Sequence, residues 1–181
     1  MRIAISGSHR SGKTTLIEEL SALLPKYATV DEPYHLMEEE GYEFSHPPTL
    51  EDFEAQLEYS IQLSSEGAAD VLFDRCPADF IGYISTHQDA DTFDFDEWLP
   101  RVRAAIQTLD LIVLVPVEAG DSALFSSSDD EADSRASVDG KLYDILLDDS
   151  FELGVEVLVV RGELEKRVRT VMKRISRHPR P

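Results

Sequence analysis

The first residues whose types and spacing could do chemistry lie close to the start of the chain, in the stretch GSHRSGKT. Its two glycines let the backbone bend so that successive N–H groups face a phosphate, while the lysine spans two phosphates and the threonine hydroxyl ligates Mg²⁺. An apolar run precedes the stretch and a helix-like pattern follows it, as a Walker A loop requires; a glycine-rich turn that carries a lysine by chance would need neither. We predict that ATP and Mg²⁺ bind through Gly7, Ser8, His9, Arg10, Ser11, Gly12, Lys13, Thr14 and Thr15.

A carboxylate and a guanidinium, Asp74 and Arg75, follow an apolar stretch that is typical of a strand. Open α/β sheets bind ligands at the carboxyl ends of their strands. At such a place Asp74 could hold Mg²⁺, directly or through water, and Arg75 could hold a transferring phosphoryl group or an acceptor oxygen. The simpler alternative is a helix-capping aspartate beside a surface arginine. We expect the next residue, Cys76, to pack rather than react.

Two more acids, Asp31 and Glu32, end the second apolar stretch and precede a proline. From that position Glu32 could accept the proton of an attacking hydroxyl, and Asp31 or Asp79 would be the next candidates for this base. The competing interpretation is that acids simply favour the start of the following helix.

A third candidate cluster combines Gln56 with Phe53 and Tyr59. A glutamine amide can pair with the edge of a nucleobase while aromatic rings stack on its face. Ordinary core aromatics with a glutamine at their rim are an equally good explanation.

Alternating strand and helix patterns indicate how these residues are positioned. We predict strands at 2–6, 27–31, 71–74, 111–115 and 155–160, the last two as central strands covered on both sides because their apolar runs are continuous. Helical spacing predicts helices at 13–24, from Thr49 to Gly67, at 77–86, along Trp98 to Leu109, at 137–147 and from Leu164 to Ile175. The acidic, serine-rich stretch from Glu118 to Ser137 is expected to be mobile, and Tyr34 to Pro48 to be loop with a short helix. This order predicts an α/β fold with a parallel sheet and helices on both faces.

Composition bounds the function classes. A formal net charge of −19 disfavours nucleic acid or an anionic membrane as a partner. The single cysteine excludes an internal disulfide and a cysteine metal cluster. No apolar run approaches the length of about 18 residues that a membrane span needs. We therefore expect one domain over residues 1–181, located in the cytoplasm, and a homodimer is the assembly to test for.

These motifs together resemble the P-loop kinases of small molecules, especially deoxynucleoside kinases, thymidylate kinases and ribosylnicotinamide kinase-like proteins. In the deoxynucleoside kinases a Glu-Pro after the second strand supplies the general base and an acid-Arg-Ser motif follows the third; Glu32-Pro33 and Asp74-Arg75-Cys76 match them, with Asp for Glu and Cys for Ser. Their base-recognising glutamine corresponds to Gln56. The resemblance implies a P-loop NTPase fold with five parallel strands in the order 2-3-1-4-5, and adenine resting near Arg161-Gly162-Glu163.

The resemblance also implies a lid after the fourth strand, at about 117–140, that carries arginines to the phosphates. Pro116 to Ser134 contains no arginine or lysine, so Arg135 is the first candidate. Taken together, we expect catalysis by Lys13, Glu32, Asp74, Arg75 and Arg135, acceptor contacts from Glu32, Gln56, Arg75 and Asp79, and Mg²⁺ ligation by Thr14 and Asp74.

Two classes of function fit these predictions: a kinase that phosphorylates a hydroxyl of a small acceptor, and a P-loop ATPase that acts as a nucleotide-dependent switch. No lysine or arginine occurs from Tyr27 through Asp74, where most of the acceptor pocket should lie, and the stretch is rich in Glu and Asp. A buried phosphate dianion needs cations, so we expect a neutral or cationic nucleoside-like acceptor rather than a nucleoside monophosphate. If the acids form a solvated outer face instead, the charge of the acceptor stays open.

Overall fold

The structure is a computed structural model that describes residues 1–118 and 129–177. Its centre is a sheet of five parallel strands, β1 (Arg2–Ser6), β2 (Ala28–Val30), β3 (Val71–Asp74), β4 (Leu111–Leu114) and β5 (Val157–Val159). Their order is β2-β3-β1-β4-β5, as the resemblance implied. The register places Ile5 beside Asp74 on one side and beside Val113 on the other, so the loops after β1, β3 and β4 leave the sheet at one edge.

The described residues form seven α-helices, most of them packed on the two faces of this sheet. They are α1 (Lys13–Leu23), α2 (Pro33–Glu39), α3 (Leu50–Ser65), α4 (Pro77–Thr86), α5 (Phe95–Ile106), α6 (Asp129–Leu146) and α7 (Leu164–Ile175). Alternate residues of β1 face opposite sides, as the pleat of a strand requires. Ile3 and Ile5 belong to a core shared with α1 and α7, whereas Ala4 belongs to a larger core built by α3, α4, α5 and α6.

Helix starts follow the local chemistry of the chain. Thr49 caps α3, where its hydroxyl accepts from the Asp52 N–H and the Asp52 carboxylate accepts from the Thr49 N–H. Pro77 occupies the first turn of α4, and the Asp79 carboxylate accepts from the N–H of Cys76, the residue before the helix. The Asp79 contact thus fixes the turn between β3 and α4.

Two expectations need correction, and one lies partly outside the described residues. The strand predicted at 155–160 is the edge strand β5, only half-buried, because its apolar run packs on one neighbour, β4. Helix α6 begins at Asp129 rather than near 137; acids at a helix start interact favourably with its dipole, so this acidic stretch favours a helix. The proposed lid at 117–140 falls partly on residues 119–128, which lie outside the described residues. The stretch from Tyr34 to Pro48 does contain the short helix α2.

Candidate active site

The loop between β1 and α1 has the backbone of a phosphate-binding loop. Gly7 and Gly12 have φ angles of +150° and +89°, where side chains are rarely tolerated. A Cβ on Gly7 would lie 2.4 Å from the Val115 carbonyl oxygen, so only glycine fits against the end of β4. Residues Ser11, Gly12, Lys13, Thr14 and Thr15 line a cavity of about 420 Å³ together with Arg10 and Arg167.

Lys13 lies at the base of this loop. Its Nζ donates to the Ser8 carbonyl oxygen at 2.9 Å, and its side chain is buried. Burial, followed by the nearby Arg75 charge, lowers the pKa of Lys13 to about 8. Because burial makes the ammonium charge of Lys13 costly, a phosphate anion bound beside it would stabilise the charged form.

Thr14 and Asp74 form the candidate magnesium site. The Thr14 hydroxyl donates to Asp74 Oδ2 at 3.3 Å, and the other carboxylate oxygen, Oδ1, is buried with no hydrogen-bond partner among the described residues. Burial raises the pKa of Asp74, although the Lys13 and Arg75 charges oppose the shift. A hydroxyl and an unpartnered carboxylate oxygen beside a phosphate loop fit Mg²⁺, which is usually held by one or two protein oxygens and by substrate phosphates.

Arg75 joins the phosphate loop to the second strand. It is buried, in a left-handed backbone conformation with φ of +76°. Its Nη1 donates to the Gly7 carbonyl oxygen at 2.8 Å, and its Nε lies 2.8 Å from Glu32 Oε1 in an ion pair. Strained left-handed residues cost about 1–3 kcal/mol and cluster at functional sites. Arg75 is therefore not the surface arginine of the simpler alternative.

Glu32 is held ionised by this arrangement. Its side chain does not cap α2, which argues against the helix-start interpretation. Burial alone would raise the pKa of Glu32, but the Arg75 and Lys13 charges outweigh it and hold the pKa below its ordinary value. An ionised carboxylate is the form that can accept a proton.

Asp79 has a different place from the one that the sequence suggested. It is fully buried, its Oδ1 accepts from the Gly7 N–H at 2.9 Å, and its Oδ2 accepts from the Cys76 N–H at 2.9 Å. It does not belong to the described residues that line a second cavity, on the Glu32 side of the phosphate loop, which is described next. Both oxygens thus already accept from backbone N–H groups, one of them in the phosphate loop, which argues against Asp79 as a base or an acceptor contact.

A second cavity of about 350 Å³ adjoins the Glu32–Arg75 pair. One wall carries the stacked rings of Tyr34 and Phe44, with centroids 4.4 Å apart; another carries the stacked rings of Phe53 and Tyr83, 5.3 Å apart and nearly parallel. Its remaining lining residues are His9, Glu32, Pro48, Gln56, Arg75, Phe80 and Ser134. Aromatic walls with a few convergent polar groups are typical of a site for a small aromatic ligand.

Of the two predicted residues Gln56 and Tyr59, only Gln56 lines this cavity. Gln56 is buried, lines the cavity and donates from Nε2 to the Asp52 carbonyl oxygen at 3.1 Å. The Tyr59 hydroxyl instead donates to exposed Glu40 at 2.6 Å, outside the cavity, so Tyr59 does not join the predicted cluster.

The acidic run of the acceptor region lies on the outer face. Glu38, Glu39, Glu40 and Glu43 are exposed, and Asp52 serves the cap of α3. Of the acids between Tyr27 and Asp74, Glu32 is the one that lines the cavity within the described part of the chain. The preference for a cationic acceptor therefore loses its basis, because the acids that motivated it, the buried Asp52 included, do not line the cavity.

Arg135 reaches the phosphate loop from α6. Its side chain is almost completely buried; Nε donates to the His9 carbonyl oxygen at 3.1 Å and Nη2 to the Arg10 carbonyl oxygen at 3.3 Å. The lid residue singled out from the sequence thus lies at the nucleotide site, against the loop backbone.

The sequence analysis missed two residues of the site. Tyr83 accepts the His9 N–H at 3.0 Å with its hydroxyl, and its ring lies beside the Arg75 guanidinium, 5.3 Å from ring centre to Cζ. Its spacing of four residues from Asp79 on a helix was the available signal. Arg167 lines the phosphate-loop cavity, but in the sequence it is one of many cations near the end of the chain.

The described residues contain no group of three or more His, Cys, Asp or Glu side chains arranged to hold a metal. None of their helices combines the length and apolar character needed to cross a bilayer.

Comparison with known families identifies the chain as a member of a P-loop family. A family model described as an AAA domain matches residues 2–167, and the chain therefore belongs to this AAA-domain family. No curated protein sequence matches the chain significantly.

Solved structures with this fold include small-molecule kinases. Deoxyadenosine kinase from M. mycoides with bound dATP superposes with a TM-score of 0.64 at 14% identity, covering 97% of this chain and 99% of that one. Shikimate kinase from Aquifex aeolicus gives 0.60 at 16% identity, covering 97% and 96%. NadR in complex with NAD and AMP-PNP gives 0.68 at 18% identity, covering 99% of this chain and 50% of that one. The resemblance to the P-loop small-molecule kinases is confirmed at the level of fold.

Proposed function

We propose that the protein is an ATP-dependent kinase that transfers the γ-phosphoryl group to a hydroxyl of a small, neutral, nucleoside-like acceptor. The observation that carries this proposal is the Glu32–Arg75 ion pair, which lies between the phosphate loop and the aromatic cavity. Arg75 donates to the Gly7 carbonyl oxygen and lines the cavity, and Glu32 lines the same cavity. In this proposal the pair would supply a base and a guanidinium between a donor site and an acceptor site.

On the donor side, the N–H groups of the loop and Lys13 would hold the polyphosphate of ATP, while Thr14 and Asp74 would hold Mg²⁺. Bound magnesium would neutralise the negative charge that develops on the phosphates. Arg135 lies close enough to the loop backbone for its guanidinium to turn from two carbonyl oxygens to phosphate oxygens.

On the acceptor side, the aromatic walls would stack a planar base and orient the acceptor hydroxyl towards Glu32. Glu32 would take the proton of that hydroxyl as the hydroxyl oxygen attacks the γ-phosphorus of ATP and ADP leaves. Gln56 would contact the edge of the base. Among the described lining residues Arg75 is the one lysine or arginine, and it is already paired with carboxylates. A phosphate-bearing acceptor would have to compete with Glu32 for that charge, which favours a neutral acceptor.

One further candidate function follows from the match to the AAA-domain family. A P-loop ATPase that works as a nucleotide-dependent switch would need no acceptor, and its rate of ATP hydrolysis would not depend on one. The kinase proposal requires the opposite.

The testing experiment is a coupled assay of ADP formation with Mg²⁺ and ATP, run without acceptor and with nucleosides, their monophosphates, ribosylnicotinamide and shikimate. A neutral nucleoside-like compound should give the highest kcat/KM, and the product should carry the new phosphate. Glu32→Gln should lower kcat by about 10²–10⁴ while ATP affinity stays unchanged. Preference for monophosphates would refute the charge argument, and ADP formation that no acceptor accelerates would favour the switch. ATP use would be consistent with a cytoplasmic enzyme, and light scattering would show whether it is a homodimer.

A further inference from the structure

Tyr83, on α4, contacts the phosphate loop and the wall of the second cavity, where the acceptor is proposed to bind (the acceptor cavity). Its hydroxyl accepts the His9 N–H of the phosphate loop at 3.0 Å. Its ring lies nearly parallel to the ring of Phe53, 5.3 Å from centroid to centroid, and lines the acceptor cavity. The Arg75 guanidinium lies over the same ring, with its Cζ 5.3 Å from the centroid. One side chain therefore joins the acceptor wall to the phosphate loop.

The Tyr83 hydroxyl contacts a part of the loop that does not line the phosphate cavity. His9 belongs to the described lining of the acceptor cavity, whereas the described lining of the phosphate-loop cavity begins at Arg10. The His9 carbonyl oxygen accepts from Arg135 Nε at 3.1 Å, so side chains of α4 and α6 hold both polar groups of the His9 backbone. The loop is thus anchored to these helices at His9.

The helix that carries Tyr83 is closely packed. Its neighbour Gly82 lies against α6, where a Cβ on Gly82 would lie 3.1 Å from Leu142 Cδ2. One turn earlier on α4, the Asp79 carboxylate accepts the Gly7 N–H at 2.9 Å. Residues four apart share a helix face, so Asp79 and Tyr83 reach the loop from the same side. Two successive turns of one helix thus hold two alternate N–H groups of the phosphate loop.

The distance between the loop and the acceptor wall matters for the proposed reaction. Phosphoryl transfer requires the attacking and leaving oxygens to lie roughly in line across the phosphorus. A displacement of about 1 Å can cost about 100-fold in rate. With ATP on the loop and the acceptor against the wall that Phe53 and Tyr83 form, the separation of loop and wall sets this alignment.

We propose that Tyr83 is a positioning residue whose hydroxyl sets the spacing between the phosphate loop and the acceptor wall, and so aligns the acceptor hydroxyl with the γ-phosphorus of ATP. The inference rests on the proposed kinase function. It assigns separate roles to two parts of one side chain, because the ring forms the wall and the hydroxyl holds the loop. Tyr83→Phe removes the hydroxyl and keeps the ring, so it isolates the second role.

The first measurement compares the kinetics of Tyr83→Phe and wild type with the nucleosides and ribosylnicotinamide of the acceptor panel. Loss of alignment should lower kcat by about 10- to 100-fold. The acceptor KM and the Kd of Mg·AMP-PNP, measured by titration calorimetry, should stay within about threefold, because the ring and the phosphate cavity are retained. The ratio of phosphorylated acceptor to ADP should fall, since water can attack without being held by the wall.

The second measurement needs no acceptor and follows hydrogen exchange of the His9 amide by NMR. Tyr83→Phe should speed this exchange by about 2- to 10-fold, the worth of one ordinary hydrogen bond. Phe53→Leu, which removes the ring that stacks on Tyr83, should speed it too, because the wall then no longer holds the hydroxyl in place. This second variant keeps the inference falsifiable if Tyr83→Phe does not fold.

Tyr59→Phe is the matched control, because the Tyr59 hydroxyl donates to Glu40 outside the acceptor cavity. Its kinetics and its His9 exchange should equal those of the wild type.

A kcat of Tyr83→Phe within about twofold of wild type would overturn the inference, and so would unchanged His9 exchange in the Tyr83 and Phe53 variants. Equal losses in kcat and in AMP-PNP affinity would overturn it as well, because Tyr83 would then support the loop as a whole. Failure of the kinase proposal would look different: wild type would show no acceptor-dependent ADP formation, while His9 exchange still responded to both variants.

Discussion

Lys13 is a buried cation whose charge is costly to maintain, since burial lowers its pKa to about 8. If it binds the nucleotide phosphates, Lys13→Ala should abolish the rise in melting temperature that Mg·AMP-PNP gives to the wild-type protein. At a ligand concentration of about 100 times Kd, that stabilisation amounts to about 2.7 kcal/mol. Lys26→Ala, at an exposed position after α1, is the control and should keep the full shift. A full shift in Lys13→Ala would remove the basis for nucleotide binding at this loop.

The Glu32–Arg75 pair makes a prediction about pH. Because the folded-state pKa of Glu32 lies below its ordinary value of 4.5, the carboxylate stays ionised above about pH 5 and its pairing is lost only as pH falls through the lower value. Wild-type kcat/KM should therefore show no acid limb from Glu32 above about pH 5. In Arg75→Gln, burial is no longer opposed by the guanidinium, so the pKa rises and the acid limb moves to higher pH. Profiles of kcat/KM against pH that coincide for the two proteins would contradict this account.

At the scale of single residues, the phosphate loop could be predicted from the sequence because its functional residues are consecutive in the chain. It could also place Glu32 and Arg75 at strand ends. It could not show that Arg75 pairs with Glu32, since the two are distant in the chain and meet only because β2 and β3 are neighbours. The role of Asp79 was open for the same reason: its acidity is visible in the sequence, but the two N–H groups that occupy it are not.

Helix α6 is the element that brings Arg135 to the phosphate loop. If the Arg135 guanidinium turns to the phosphates during transfer, its loss removes a donor that stabilises the transition state, an effect of about 10²–10³ in kcat. Arg135→Gln should show that drop in the acceptor-dependent assay. Arg101→Gln, on the exposed side of α5, is the control. Turnover of Arg135→Gln within about twofold of wild type would make Arg135 a packing residue of the helix.

Among the elements, prediction was best where a local signal was strong. Pro77 and the capping Asp79 define the start of α4, and the bounds of that helix are those predicted. It was weakest at the start of α6, because its acidic composition is typical of mobile segments and also of helix starts. The edge position of β5 could not be predicted from its apolar run, because a half-covered parallel strand and a central one share the same apolar pattern.

The charge of the whole molecule should influence its stability. With 36 acidic and 17 basic residues, the folded chain carries a net charge of −19 and repels itself. Raising NaCl from about 0.01 M to about 1 M shortens the screening length from about 30 Å to about 3 Å, so the melting temperature should rise. An equal osmolality of a neutral solute serves as the control. A melting temperature that falls with salt would mean that the surface ion pairs outweigh the repulsion.

The residues of the acceptor cavity and those of the phosphate site come largely from different segments of the chain. Tyr34, Phe44, Phe53 and Gln56 come from one continuous stretch between β2 and β3, whereas Arg75, Asp74 and the phosphate loop belong to strand ends and their immediate continuations. Under the proposed function, much of the ligand choice and the phosphoryl chemistry would be encoded in separable parts of the sequence, although Phe80 and Tyr83 of α4 also line the cavity. Exchanging residues 33–65 for the corresponding stretch of another protein with this fold would then change the choice of ligand and leave the residues of phosphoryl transfer in place. The same separation would let such chains diversify their substrates during evolution.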